Sequence, residues 1–263
     1  MRYNRTTGLS LSQMQELVRR IQDRLSASWS QKVGRPKSCG LYRATEIACM
    51  YIRHNATQEF LGDLQSISQP TVSRIVTNLV PVIKAVLEEF VPTAEDAIEM
   101  ANGRVCLVDG TITPCWSYAD HKELWSRKHG TTGFNAQLVG FLDGSPIYIS
   151  DPLPGKTHDA KAFDDTPVAE IIRKSGGGIG DKGYQGCGMA TPRKTPVGGQ
   201  LSTGDQRENS HLSALRAPIE RLVAHFKTWK ILHTDYRRPY KTYADSYNAA
   251  RGLFFFTITW GFE

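Results

Sequence analysis

Three acidic side chains stand where a charge is hard to tolerate. Asp109 follows the apolar residues Val105, Leu107 and Val108, which places it at the end of a buried strand. Asp181 lies in "GGGIGDKGYQG", residues 176 to 186, just after Ile179 and among glycines at 176, 177, 178, 180, 183 and 186. Glu220 lies in "RAPIERLVAHFKTWKIL", an amphipathic pattern that turns Ile219, Leu222, Val223 and Phe226 inward. A buried carboxylate is costly unless it is paired or bound to a cation. If the three acids share one wet cleft, they repel one another until a divalent metal neutralises them. Mg2+ is the expected ion, because it accepts a few carboxylate oxygens plus waters and leaves room for a phosphate, with Mn2+ able to substitute. Two such ions, ~3.5 to 4 Å apart, would activate a water or a 3′-hydroxyl and stabilise the leaving oxygen of an in-line phosphoryl displacement. Asp109, Asp181 and Glu220 are therefore the candidate catalytic residues and the candidate metal ligands.

The glycines around Asp181 fit that chemistry. Gly180 and Gly183 let the backbone approach metal and phosphate with no Cβ in the way, and Gly176 to Gly178 end one helix and enter a strand. A plain flexible loop is the alternative, and it leaves the order "IGDKGY" unexplained.

The elements that must position the acids occupy the second part of the chain. "RVCLVDGTITPCWS" reads as a strand through Asp109, Gly110 and a second extended run. "GFNAQLVGFLDGSPIYISDP" reads as a hairpin turning at Asp143-Gly144. "THDAKAFDDTPVAEIIRKSG" is an amphipathic helix, "GGIGDKGYQG" a short strand ending in Asp181, and a long helix follows from about Ser210. Three strands, a helix, a fourth strand and a helix is the order of an RNase H-like sheet, the retroviral-integrase-like α/β class of mixed sheet with flanking helices. In that fold positions 109, 181 and 220 converge.

Residues 9 to 92 read as helical. "SLSQMQELVRRIQDRLSAS" puts Leu11, Met14, Leu17, Val18, Ile21 and Leu25 on one stripe with Ser10 or Ser12 as cap, and "LYRATEIACMYIRHN" repeats the pattern with Asn55 as stop. "TQEFLGDLQSISQPTVSRIVTNLVPVI" reads as helix, tight turn, helix: Thr57 to Leu64, a turn at Ser66 to Ser68, then Pro70 in a first turn where its missing N–H costs nothing. Ser68 would cap the second helix. Phe60, Leu61, Leu64, Ile67, Val72, Ile75, Val76 and Leu79 form the expected buried seam, leaving Gln69, Thr71, Ser73 and Arg74 outward to reach base edges or phosphates in a major groove. A helical hairpin that serves only as core is the alternative. The predicted division is 1–95, an all-α DNA-binding domain with a helix-turn-helix, and 96–263, the RNase H-like catalytic domain.

Composition agrees with a DNA-binding enzyme. The 263 residues are 40% apolar and 10% aromatic, enough for a core. Thirty-two basic against 26 acidic residues give a net charge of +6, with a pI near 9.1, as expected for a polyanion partner. The chain has no apolar run long enough for a membrane span, and Met1 to Gln15 lacks the apolar centre of a signal peptide, so a cytoplasmic place without membrane contact is expected. Its five cysteines never form a C-x-x-C pair, which speaks against a thiolate zinc site. Gly34, Arg35 and Pro36 resemble the core of an AT-hook, although a solvated basic loop is the simpler reading.

Together, "VDGT" with Asp109, "PGKTHD" with His158 and Asp159, "GDKGY" with Asp181 and "RAPIERLVAHFK" with Glu220 resemble the DDE transposases of the IS4/IS5 superfamily, in particular the IS5-like, Harbinger-related branch. Four motifs in order over roughly 104 to 232, with a matching helix-turn-helix, cover most of the chain. The resemblance implies an insertion-sequence transposase acting on double-stranded DNA: hydrolytic nicking at the terminal inverted repeats, then attack of the freed 3′-hydroxyl on target DNA. It implies a homodimer or higher oligomer on DNA, in a bacterial cytoplasm and at the nucleoid when bound. Alternatives are a domesticated relative that binds DNA without cutting and an RNase H-type nuclease unrelated to mobile elements.

In the broader superfamily a tyrosine, arginine, glutamate and lysine recur with two, three and six residues between them. Arg216, Glu220 and Lys227 fit those gaps here, and Ser213 stands where the tyrosine is expected. Within one helix Glu220 and Lys227 would face the same side, so that Lys227 could hold a phosphate. A helix starting at Pro218 would leave Arg216 just outside it, where Arg216 remains a candidate DNA contact. His158, Asp159 and Lys182 are possible active-site support, the first two equally readable as a helix cap. Trp116, Trp125, Arg127, Lys128 and His129 form a basic, aromatic insert that could grip element-end DNA or equally serve as a core edge, and Arg237, Arg238 and Lys241 in "HTDYRRPYKTY" are candidates for backbone binding, a solvated loop being the alternative.

Overall fold

The computed structural model describes residues 5–25 and 39–260, so the Gly34-Arg35-Pro36 motif lies outside the described residues. The chain divides into two compact units, Met1–Val91 with Lys227–Glu263, and Pro92–Phe226. Residues 227–263 group with the amino-terminal helices, and the second unit opens at Pro92. The cause is nonlocal. The last helix carries the apolar run Phe254, Phe255 and Phe256, all buried, and that run packs on helices from the other end of the chain.

The first unit is helical: α1 (Leu11–Leu25), α2 (Leu41–His54), α3 (Gln58–Leu64), α4 (Gln69–Leu87) and α9 (Tyr243–Thr259). Local signals set its helix ends. Ser10 Oγ accepts from Gln13 N at 3.2 Å. Asn55 closes α2 in the left-handed region, φ 47°, and its side chain donates to Thr234 Oγ1 and the Asp235 carbonyl at 2.8 and 2.9 Å. Thr57 accepts from Phe60 N to start α3, and Pro70 lies in the first turn of α4. Ser68 occupies the capping position but bonds Thr71 Oγ1 instead of a backbone amide.

The seam of this helix-turn-helix differs from the expected one at two residues. Phe60 and Leu64 are 58% and 55% exposed. Four residues apart in a seven-residue helix, they share its outward face, while Leu61 and Gly62 face inward. Gly62 is where the turn closes on α3: a Cβ there would stand 2.7 Å from the Ile67 carbonyl oxygen.

The second unit is the mixed α/β part, with α5 (Ala94–Ala101), β1 (Val105–Pro114), β2 (Trp125–Ser126), β3 (Thr131–Phe141), β4 (Pro146–Ile149), β5 (Leu153–Pro154), α6 (Asp159–Asp165), α7 (Val168–Lys174), β6 (Gly177–Ile179) and α8 (Thr203–Phe226). β3 pairs antiparallel with β1, β2, β4 and β5, and β6 adds to the far side of β1 in parallel. The β3–β4 hairpin turns at Asp143-Gly144 as expected. This curled mixed sheet with flanking helices is the RNase H-like arrangement.

Period-two alternation divides the two faces of the sheet. Cys106 and Val108 of β1, with Val139 and Phe141 of β3, join a core completed by Ala97, Phe163, Val168, Ile171 and Tyr184. Leu107 and its partner Gly140 face the other way, where Leu222 and Ile219 of α8 pack; a Cβ on Gly140 would stand 2.9 Å from Leu222 Cδ2. That packing explains two departures from expectation. α8 starts at Thr203, not near Ser210, and runs on through Pro218, which is buried together with Ile219. Burial against the sheet offsets the helix hydrogen bond that the proline forfeits.

None of the helices among the described residues is long and apolar enough to cross a membrane. Replacing Gly62 by Ala is expected to destabilise the helical unit by about 1–3 kcal/mol, the cost of overpacking, despite alanine's better helix propensity. Urea or thermal denaturation measures it, and a variant as stable as the parent would show that the turn has room for a methyl group.

Candidate active site

Strand register brings the first two acids together. The parallel pairing of β1 with β6 ends at Leu107 opposite Ile179, and Asp109 and Asp181 each follow two residues later. Asp109 is not at a strand end, as expected, but in the middle of β1, opposite Leu138, because β3 pairs with β1 out to Pro114. Its side chain is 20% exposed. Burial raises its pKa to about 6; Arg216 opposes that rise and the nearby Asp181 adds to it.

A third carboxylate belongs to this cluster, and it is Asp159. It opens α6 and is only 7% exposed. A Cβ on Gly183 would lie 2.6 Å from Asp159 Oδ2 and 2.9 Å from Asp181 Oδ1, and one on Gly110 would lie 2.8 Å from Asp159 Oδ1. Gly183 is bare because two carboxylates occupy the space a side chain would need, whereas the sequence pointed to the approach of metal and phosphate. Asp181 also accepts from Gly183 N at 2.7 Å, which fixes the turn. The buried hydroxyl of Tyr184 registers the crowding, since its pKa is driven well up by burial and then by Asp159, Asp109 and Asp181.

Cationic side chains balance these acids. Lys128 Nζ lies 2.6 Å from Asp159 Oδ2 and 3.9 Å from Asp181 Oδ2. Partial burial works against its charge, but the hydrogen bond to Asp159 and the field of all three aspartates outweigh that and raise its pKa. Arg216 lies 3.6 Å from Asp109 Oδ2 and 3.9 Å from Glu220 Oε1. Because α8 is continuous through Pro218, Arg216 sits one turn before Glu220 and inside the helix, contrary to expectation. Its side chain is 12% exposed, and its Nε is buried without a hydrogen-bond partner among the described residues. Glu220 is 61% exposed and reaches the aspartates through this arginine. Among the described residues no three His, Cys, Asp or Glu side chains, as placed, share one cation.

A chain of hydrogen bonds ties the acid-bearing segments together. Tyr184 OH donates to Gln137 Oε1 at 2.5 Å, Gln137 Nε2 to Asn135 Oδ1 at 3.0 Å, and Asn135 Nδ2 to the Thr157 carbonyl at 2.9 Å. It links the "GDKGY" turn, through β3, to the "KTHD" loop. Sequence reading missed Lys128, Gln137 and Asn135 as members of the site. The signal was present in β3, whose otherwise apolar run carries two amides two residues apart, both buried.

The other candidates are more scattered. His158 precedes α6, is exposed and makes no side-chain cap. Lys182 is exposed in the turn after Asp181, and Ser213 is exposed on α8. Lys227 is the first residue past α8, so helical spacing does not align it with Glu220. In the helical unit Gln69 and Arg74 are exposed and Thr71 and Ser73 half-buried on the first turns of α4. Arg238 donates to Thr77 of α4 at 2.8 Å, Arg237 to the Asn55 carbonyl, and Lys241 is exposed.

Known proteins share both parts. Residues 108–253 match the family described as DDE superfamily endonuclease, and residues 48–89 match the helix-turn-helix of DDE superfamily endonuclease. A protein of Streptomyces albus G, named as a candidate transposase for insertion sequence element IS112, is 29% identical over 229 residues, which cover 86% of this chain and 83% of that one. No solved structure matches the chain. The first match takes in more than half of the sequence and every acid of the site, and the chain belongs to the DDE superfamily endonucleases, the DDE transposases, with that superfamily's helix-turn-helix before its catalytic segment.

Proposed function

We propose that the chain is the transposase of an insertion sequence of the IS5-like branch, cutting DNA at the element's terminal inverted repeats and joining the freed ends to target DNA. The observation that carries this reading is the β1–β6 register, which sets Asp109 and Asp181 side by side while α8 ties Glu220 to Asp109 through Arg216. A hard divalent cation fits the donor set. Carboxylate oxygens, those of Asp109 mostly out of water, would supply its ligands, and the cations already drawn to these acids, Arg216 and Lys128, mark their demand for positive charge. Asp109, Asp181 and Glu220, the last turning from its exposed position on α8, would hold Mg2+ as two ions, or Mn2+ in its place. When bound, the metal would activate the attacking oxygen and stabilise the leaving one.

The chain's own residues do the rest. Asp159 and Lys128 fix each other beside Asp181. The Tyr184–Gln137–Asn135 bonds hold the Asp181 turn and the Thr157 loop at constant spacing. In hydrolysis the water oxygen bonds to phosphorus as the P–O3′ bond breaks, leaving a 3′-hydroxyl and a 5′-phosphate. In joining, that hydroxyl attacks a target phosphodiester and takes the place of its leaving oxygen. Gln69, Thr71, Ser73 and Arg74 at the start of α4 would read the repeat, and Arg238 and Lys241 would hold its backbone; Arg237 contributes less, being bonded to the Asn55 carbonyl. Because two ends must be paired, two or more copies act together on DNA, at the bacterial nucleoid.

Asp109→Asn, Asp181→Asn and Glu220→Gln are each expected to lower cleavage in Mg2+ by about 10²-fold or more, the scale for losing one stabiliser of transition-state charge, with DNA binding intact. A gel assay on a duplex bearing the element end measures it, and normal cutting by Asp181→Asn would remove that residue from the site. A strand-transfer assay with the unaltered chain should give joined products; binding alone would indicate a domesticated relative, and cutting without joining a nuclease of another kind. Gln69→Ala and Arg74→Ala should each weaken binding of the repeat by about 1–3 kcal/mol if they contact bases, with less effect on unrelated DNA. Equal losses on both duplexes would make these residues backbone contacts.

A further inference from the structure

Adjoining the carboxylates, with Asp159 and Lys128 in its lining, the second unit holds a cavity of about 320 Å³. Lys122, Trp125, Arg127, Lys128, Lys156 and Asp159 are among the residues that line it, with two histidines. Four lysine or arginine side chains thus face one carboxylate, and that carboxylate is already bonded to Lys128 at 2.6 Å. Among the described residues Lys122 and Arg127 enter none of the ion pairs, Lys156 meets the field of Glu123, which is itself paired with His121, and Trp125 is 50% exposed. Cations in excess of the acids around one concavity are poised for an anion.

The cavity is built on close backbone packing and not on a loose surface loop. A Cβ on Gly155, in its wall, would stand 2.4 Å from the carbonyl oxygens of both Gly133 and Leu124. Lys156 N donates to the Glu123 carbonyl at 3.0 Å, and Asn135 holds the Thr157 carbonyl. The segments that carry the cations are therefore fixed to β3 and to one another.

We infer that this cavity binds a phosphodiester of DNA, the phosphate next to the one attacked at Asp109 and Asp181. Lys128 sets the distance, for it lines the cavity and also approaches Asp181 within 3.9 Å. Cations in the cavity and anions beside it discriminate between neighbouring positions on one strand: a phosphate is welcome among Lys122, Arg127 and Lys156, whereas among the aspartates it needs a cation first. The inference rests on the DNA-cleaving reading, and its test separates the two.

The test is a chemical cycle on the full chain. Duplexes bearing the element end carry a single uncharged methylphosphonate at successive positions around the cut, and binding is measured without divalent metal for the parent and for the triple variant Lys122→Gln, Arg127→Gln, Lys156→Gln. In the parent, one position beside the cut should weaken binding about tenfold, the scale of a charge-assisted contact. In the variant the same replacement should cost almost nothing, and the slope of log affinity against log salt should become shallower by about 0.9, the release expected for one phosphate. A methylphosphonate profile and salt slope the same in both proteins would overturn the proposal. The single variants Lys122→Gln and Lys156→Gln, at exposed positions, repeat the cycle if the triple variant does not fold. Absence of cutting by the parent in Mg2+ would instead count against the cleavage reading, and the binding cycle would still decide the cavity.

Discussion

Like-charge crowding in a poor solvent is the constraint on which the catalytic unit depends. Asp109, Asp159 and Asp181 gather around the Tyr184 hydroxyl, and Asp109 is held mostly out of water. Left alone, such a group would protonate or be pushed apart. The unit keeps it together with two cations placed differently. Lys128 bonds Asp159 tightly and Asp181 loosely, while Arg216 spans Asp109 and Glu220 from the helix side. Neither cation belongs to the sheet that carries Asp109, so the cluster holds only when an insert and a long helix are both in place.

Backbone geometry sets how close the acids can come. Parallel pairing carries Asp109 and Asp181 level, and no side chain at position 183 intrudes on Asp159 and Asp181. The buried amides of Asn135 and Gln137 then convert a strand of the core into a brace. Buried polar chains of this kind are costly when incomplete, and here each link donates to the next.

What could be read from residues alone divides by range. Helix ends set by caps were legible: Asn55, Thr57 and Pro70 mark them, and the structure has its boundaries there. The glycine-rich turn at Asp181 and the hairpin at Asp143-Gly144 were legible for the same local reason. Features decided by distant partners were not. Phe60 and Leu64 match a helical stripe yet lie outside, because a seven-residue helix buries only one narrow line. Pro218 signals a helix start, but the packing of Ile219 and Leu222 on Gly140 of β3 holds α8 continuous through it and puts Arg216 within reach of two acids. Lys128 lies in an insert with no periodic pattern, and nothing near it in sequence names Asp159 as its partner. Residues 227–263 follow α8 in the chain but take their core contacts from the helical unit.

Lys128 also couples the two charged regions it separates. Its ammonium is shared between the acid cluster and the cavity lined by Lys122, Arg127 and Lys156. A divalent cation held by the aspartates would take over the neutralising task of Lys128 and leave its charge available to an anion in the cavity. An anion in the cavity would draw Lys128 the other way and leave the aspartates short of positive charge, which would favour the cation. Thermodynamic reciprocity makes these one statement: whatever factor metal adds to the affinity for DNA at this cavity, DNA must add to the affinity for metal. A single side chain between opposite fields would be enough to make cation and substrate arrive as a pair.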